Sequence, residues 1–160
     1  MQKVDIIAVG HLKEKYLKDA ENEYRKRLSS LCRLNITEIE PERLPDSPKG
    51  SEISAALERE ADRIFAALPQ HCFAVPLCIE GDMADSVGLS KKLGELAVRG
   101  ESRVCFIIGG SYGLSERVKK AGAWRMSMSR MTFPHQLARI MLEEQIYRAF
   151  KIQSGGTYHK

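Results

Sequence analysis

The chain has 160 residues, 43% of them hydrophobic and 29% charged, the composition of one globular domain. Its 25 Lys and Arg against 21 Asp and Glu give a net charge of +4, which permits a nucleic-acid partner without demanding one. The longest apolar run, Cys72 to Ile79, falls well short of the ~18 residues of a membrane span, Met1 to Asp5 does not read as a signal peptide, and the apolar content excludes disorder.

Val4 to Val9 is a short apolar run closed by Gly10 and is expected to be a strand. From Leu12 to Cys32 the period changes. Leu12, Tyr16, Ala20, Tyr24 and Leu28 recur every fourth residue, the stripe of an amphipathic helix. Its basic residues alternate with acidic ones and read as a solvated face. Leu34, Ile36 and Ile39 mark a second, less regular strand ending at Pro41, and Pro41 to Gly50 is a loop. Ser51 is the expected N-cap of a helix carrying Ile53, Leu57, Ile64, Phe65 and Leu68, stopped by Pro69. A third strand spans Cys72 to Ile79 and ends at Gly81; a third helix runs from Ser86 to Val98, with Gly100 behind it. Val104 to Ile108 is continuously apolar, as in a strand covered on both faces.

Gly109-Gly110-Ser111-Tyr112-Gly113 follows that strand directly, and Ser115 caps a short helix to about Ala121. A short fifth strand is expected over Trp124 to Met128. Pro134 suits the first turn of the last helix, which is apolar almost all round and therefore belongs to a core or a subunit interface. Arg139 and Glu143, like Glu144 and Arg148, are spaced for i,i+4 pairing. Five strands alternating with five helices predict an α/β domain with a mostly parallel sheet.

Open parallel sheets bind ligands beyond the carboxyl ends of their strands. Three such ends stand out: Leu77 to Gly81, Gly109 to Gly113, and Met128 to Phe133. The glycine turn matches neither a dinucleotide fingerprint nor a P-loop, so it reads either as a close approach of backbone to a ligand or as a turn and nothing more. The Met-Ser run from Met126 to Thr132 suits an amphiphilic ligand such as an adenosine with a thioether arm, or is a plain connection. Cys32, Cys72, Cys78 and Cys105 form no C-x-x-C pair and read as small buried hydrophobes of a reducing cytoplasm. His135, at a helix N-terminus, is expected to be neutral; Tyr158 and His159 stand in a tail, and Arg130, Arg139, Arg148 and Lys151 are candidates for phosphate contacts.

Five blocks carry a resemblance. They are Ile6 to Gly10 with Leu12 to Tyr16, Ile107 to Leu114, Met131 to Arg139, Glu144 to Ile152, and the closing Tyr158-His159. Together they resemble the ribosomal RNA large-subunit methyltransferase H family, a minimal member of the SPOUT class, over essentially the whole chain. The resemblance implies a single α/β domain, a parallel-type sheet flanked by helices with a C-terminal trefoil knot. It implies S-adenosyl-L-methionine held by Leu77, the Gly109-Gly110 turn, and Met128, Ser129, Arg130, Met131, Thr132 and Phe133. It also implies a cytoplasmic homodimer packed through the last helix, with no metal and no membrane. The substrate would be 23S rRNA, in the large subunit or the assembled ribosome, methylated at N3 of a pseudouridine in the helix 69 hairpin loop. His135, Tyr158 and His159 are the candidates for removing the N3 proton, and Arg139 and Arg148 for steadying charge on the uracil oxygens. Two residues depart from the pattern: Cys78 stands where an acidic residue commonly follows the leucine of the first loop, with Glu80 two places on, and Pro76 is unexpected in that strand. A non-catalytic ribosome-associated RNA-binding protein and a flavodoxin-like small-molecule protein are the rival readings.

Overall fold

The computed structural model describes residues 1–160. In chain order the elements are β1 (Lys3–Val9), α1 (Lys15–Leu28), β2 (Arg33–Ile39), α2 (Gly50–Ala67), β3 (Phe73–Met83), α3 (Ser86–Val98), β4 (Arg103–Ile108), α4 (Glu116–Ala121), β5 (Met126–Ser127) and α5 (His135–Gln153). All strand pairs are parallel, in the order β2-β1-β4-β3-β5. That order separates the fold from the flavodoxin arrangement, in which the third strand lies beside the first.

The period-two alternation of the buried strands sorts the core into two layers. Val4, Ile6 and Ala8 of β1 and Val104, Phe106 and Ile108 of β4 pack against α1, α3 and α5. Ile7 and Val9, with Cys105 and Ile107, pack against α2 and α4. Asp5 points to the second face and is buried because Arg103 Nε and Nη2 donate to its two oxygens at 2.7 and 3.0 Å.

Several boundaries differ from the sequence expectation. α1 begins at Lys15, not Leu12: Leu12 lies ahead of the helix and packs against Leu17 and Ile140, while the Lys13 N–H donates to Gln136 Oε1 at 2.9 Å. Its buried stripe is Leu17, Glu21 and Leu28, and Tyr16 is exposed. Over its first two turns the inward face lies one position later than the apolar spacing predicts, at Leu17 and Glu21, because a buried charge, Glu21, occupies its centre; Leu28 is on both. α2 starts one residue before Ser51, and Glu52 Oε1 accepts the Lys49 N–H at 3.1 Å in place of a serine cap. β2 is fully regular against β1, with Lys3 opposite Arg33 through Val9 opposite Ile39. β5 is only two residues long, since the Ala123 and Trp124 N–H groups both turn to Ala74 O. Pro134 caps α5 from outside, its carbonyl accepting the Ala138 N–H at 2.9 Å.

Pro76 marks a fork in the sheet. It is the last residue of β3 in register with β4, opposite Ile107; Leu77 then pairs with Met126 of β5, and Asp82 returns to the same Met126. Residues 78–81 are thrown out of the ladder between these two pairings. Proline has no N–H to give to a ladder, so it fits where a strand leaves one neighbour for another.

Candidate active site

A cavity of about 410 Å³ opens where the three strand ends meet. Leu77, Cys78, Ile79 and Glu80 form one wall, the turn from Ile108 to Leu114 forms the second, and Ser127 to Ser129 with Thr132, Phe133 and His135 form the third. Each wall follows from local chemistry. The first is the excursion that the Pro76 fork creates, and Gly81 closes it: a Cβ there would stand 2.8 Å from Arg125 O.

The second wall is a tight turn. Gly113 N–H donates to Gly110 O at 3.0 Å, and Gly113 takes φ +78°, in the left-handed region that favours glycine. Gly109 needs glycine for space: a Cβ would sit 2.3 Å from Gly113 O. Gly110 would meet only Val9 at an ordinary 3.5 Å. The third wall is braced by its own serines. Ser127 Oγ donates to Ser129 O at 3.0 Å, and Ser129 Oγ accepts the Met131 N–H at 2.9 Å. These hydroxyls hold the loop's shape and leave the cavity to backbone groups and apolar side chains.

Of the residues singled out for a cofactor, Leu77, Gly109, Gly110, Met128, Ser129, Thr132 and Phe133 all line this cavity. Arg130 and Met131 do not: both are exposed on the outside of the loop. Ser111 and Tyr112, inside the strand end expected over Gly109 to Gly113, line the cavity as well. Sequence reasoning missed Lys119, a residue of α4 that reaches over to pair with Glu80 and Glu116 at the rim. No signal in the sequence joins Lys119 to Glu80, which stand in different elements.

The four candidate catalytic residues do not meet within one chain. His135 lines the cavity, half-buried, with its Nε2 3.6 Å from where a Gly10 Cβ would stand. Burial, and then the charge of Lys13, push its pKa below the ordinary 6.5, so its ring is neutral at pH 7. Arg139 lies one turn further along α5, buried. Its Nε and Nη2 donate to Glu21 Oε2 and Oε1 at 2.8 and 2.9 Å, and its Nη1 to Glu38 Oε2 at 2.7 Å. Three of its five N–H donors are taken by these carboxylates, and the side chain is buried.

The expected Arg139–Glu143 pair is absent. Glu143 is fully buried with both carboxyl oxygens unpartnered, and burial beside Glu21 lifts its pKa to about 9. It is a neutral acid at pH 7. The Glu144–Arg148 pair does form, at 2.7 Å. Tyr158 folds back onto it, its hydroxyl donating to Glu144 Oε1 at 2.9 Å and its ring edge-on to Tyr147 at 5.0 Å. His159 Nδ1 lies 3.2 Å from Arg148 Nη1. Arg148 is thirteen residues beyond His135 on α5, about 20 Å along the helix at 1.5 Å per residue.

No helix is long and apolar enough to cross a membrane. Comparison with known proteins fits this geometry. A family model described as "Predicted SPOUT methyltransferase" matches residues 2–159. The ribosomal RNA large subunit methyltransferase H of Clostridium kluyveri is 49% identical over 157 residues, covering 98% of this chain and 99% of that protein. Its namesake from Clostridium botulinum is 48% identical with the same coverage. Among solved structures, a probable methylase family protein from Haemophilus influenzae superposes with a TM-score of 0.57 at 12% identity, covering 99% of this chain and 71% of that one, a likeness of fold alone. The chain belongs to the SPOUT methyltransferase family and, within it, to the group of the ribosomal RNA large subunit methyltransferases H.

Proposed function

We propose that the protein is a cytoplasmic, S-adenosyl-L-methionine-dependent methyltransferase acting on N3 of a pseudouridine in the helix 69 loop of 23S rRNA. The observation that carries this reading is the cavity at the three strand ends. It fits the donor by chemistry. Its walls are apolar side chains and open backbone, Gly109 and Gly110 leave the backbone bare, and its charged groups, Glu80 and Lys119, neutralise each other at the rim. An adenosine with a short cationic arm matches such a lining, and a polyphosphate does not.

When bound, S-adenosyl-L-methionine supplies a methyl group already activated by its sulfonium. The work left to the chain is positioning, exclusion of water and removal of the imide proton. His135 is neutral and borders the cavity, so it can accept the N3 proton. Arg139 acts through α5: its bonds to Glu21 on α1 and Glu38 on β2 fix the helix turn that carries His135.

The proposal includes a homodimer paired through α5. In one chain the tail lies about 20 Å from His135 along that helix. Antiparallel pairing of two α5 helices sets the tail of one copy beside His135 of the other, and exposed Leu137 and Met131 are apolar surface for such a contact. Tyr158 and His159 then reach the substrate from the second copy. The trefoil knot belongs to the same reading. To run from β5 at the sheet edge to Gly10 on β1, residues 128–134 cross the ends of β3 and β4, where the exit of β4 also lies.

The test is methyl transfer from isotopically labelled S-adenosyl-L-methionine to ribosomal particles lacking this methylation. The expected product is one methylated pseudouridine per large-subunit RNA. Cofactor binding without transfer would favour the non-catalytic RNA-binding reading.

A further inference from the structure

Beyond the glycine turn lies a second, more enclosed cavity of about 290 Å³. It shares Gly110, Ser111, Tyr112 and His135 with the first, so the turn and the imidazole are a party wall between them. An acceptor base must meet the methyl donor in line, which places it on the donor's side of that wall. The second cavity lies off the reaction path, and its lining suits a nucleotide that does not react.

Val9, Pro41, Leu44, Ala56 and Leu57 give it apolar faces. Tyr112 and His135 bring aromatic rings to the party wall, against which a flat base can stack. Among these residues stands Glu60, only 8% exposed. Its Oε2 accepts the Glu42 N–H at 2.9 Å, and its Oε1 has no partner in the chain. Burial raises its pKa above the ordinary 4.5, as for a carboxylate short of donors. At the rim Lys13 is exposed and pairs with no carboxylate, which leaves its ammonium for a phosphate. The slot is preformed. Arg59 and Arg63 both pair with Glu42, and Arg63 Nη1 donates to Glu40 O at 2.8 Å, so the loop before α2 is tied to that helix.

We infer that this second cavity receives the nucleotide next to the acceptor in the RNA loop, and that Glu60 selects a base there that presents an amino group. The inference rests on the function proposed above and adds to it a sequence requirement outside the modified base. One phosphate joins the two nucleotides. Drawing the acceptor to His135 on one side of the wall therefore brings its neighbour to the other side of the same turn. There the neighbour stacks on the wall, its phosphate lies by Lys13 and its edge faces Glu60. A carboxylate accepts the N4 amino group of cytosine; against uracil, which has a carbonyl in that place, it sets acceptor against acceptor.

The test uses ribosomal particles lacking the methylation, in which the neighbour on the 5′ or the 3′ side of the target is either cytosine or uracil. With labelled donor, the parent protein should prefer cytosine on one side by about tenfold in kcat/KM, the worth of one good contact to a base edge. Glu60→Gln keeps the bond to the Glu42 N–H through its carbonyl oxygen and turns an NH2 group to the base. The preference on that side should vanish or reverse toward uracil. Dissociation constants for S-adenosyl-L-methionine, read by calorimetry, should match the parent protein. Leu44→Trp, a loop substitution that fills the slot, should erase the same preference and raise KM, and serves if Glu60→Gln melts at working temperature. If the parent shows no preference on either side, if the folded variants keep it, or if they lose cofactor affinity instead, the inference is overturned while the proposed function stands. If the parent binds the donor and methylates none of the particles, the proposed function fails and takes this inference with it.

Discussion

The Pro76 ring packs directly on the Cα of Gly122: a Cβ on Gly122 would lie 2.3 Å from Pro76 Cδ and 2.4 Å from its Cγ. The contact joins the fork of β3 to the chain leaving α4, so it bears on the spacing between two walls of the cavity at the strand ends. Gly122 keeps an ordinary extended backbone, with φ −70° and ψ 143°, so glycine is needed there for space alone.

Gly122→Ala is therefore expected to destabilise the fold by ~1–3 kcal/mol through overpacking. The Pro76→Ala, Gly122→Ala double variant should recover part of that loss, because the alanine at 76 withdraws the ring atoms that clash. Calorimetric melting of the two single variants and the double one measures the coupling. Strictly additive losses would show that the two residues do not press on each other.

Gly109 and Gly110 are adjacent and chemically identical, yet they are expected to respond differently. A methyl group on Gly109 meets the backbone of Gly113, which cannot rotate away, whereas one on Gly110 meets the Val9 side chain at 3.5 Å. Gly109→Ala should shift the turn and lower cofactor affinity by at least tenfold, about 1.4 kcal/mol. If donor contact with Gly110 is through its backbone, Gly110→Ala should cost less. Titration calorimetry with S-adenosyl-L-methionine reads both.

The alternation of apolar runs made the strand-helix order readable, and the strand ends that carry the cavity follow from it. The periodic signal failed where charge entered the core. Glu21 sits on the inward face of α1, and a hydrophobic count passes over it in favour of Tyr16. Its reason for being there, Arg139, is 118 positions away and visible only in three dimensions. Local spacing likewise suggested Arg139 with Glu143, because i,i+4 rules see one helix at a time and not the two acids waiting on α1 and β2. Pro76 is unexpected in a strand by sequence; the sheet uses it as the point where β3 changes partners.

The Glu143 carboxyl supplies a pH dependence with a definite sign. Its pKa is raised from 4.5 to about 9 by burial beside Glu21. A group that binds its proton more tightly in the folded state gives stability that is fully present below its unfolded pKa. That stability is lost as pH rises toward and through its folded pKa. The parent protein should therefore lose melting temperature between pH 5 and 9 through this residue. Glu143→Gln keeps the shape and cannot ionise, so its melting temperature should fall less over the same range. Arg139→Met should be the opposite case, destabilising by ~3–5 kcal/mol because Glu21 loses its partner in the core.

His135 sets the expected acid limb of the pH–rate profile. Burial and the nearby Lys13 charge hold its pKa below 6.5, so catalysis should rise with pH along a limb displaced to lower pH than that of an ordinary histidine. Removing the charge in Lys13→Met should raise the His135 pKa and move that limb to higher pH. His135→Ala should lower kcat by roughly a hundredfold or more, the contribution of a positioned base. A variant with full kcat would assign the proton to another group.

The tail offers the sharpest test of the two-copy site. Residues 154–160 are exposed except for Tyr158, which meets Tyr147, Glu144 and Arg148 of α5. Deleting them removes no residue of the buried clusters, so the melting temperature should change little and cofactor binding should persist. Methyl transfer should nevertheless be abolished, because Tyr158 and His159 would be missing from the opposite copy's site. Mixing the truncated chain with a full-length His135→Ala chain makes the distinction. Each heterodimer then holds one site with an intact His135 and an intact tail from the partner, and activity should return to a fraction of the parent level. If the mixture stays as inactive as its components while mixed dimers form, the tail serves the site of its own chain, and α5 pairing does not build the active site.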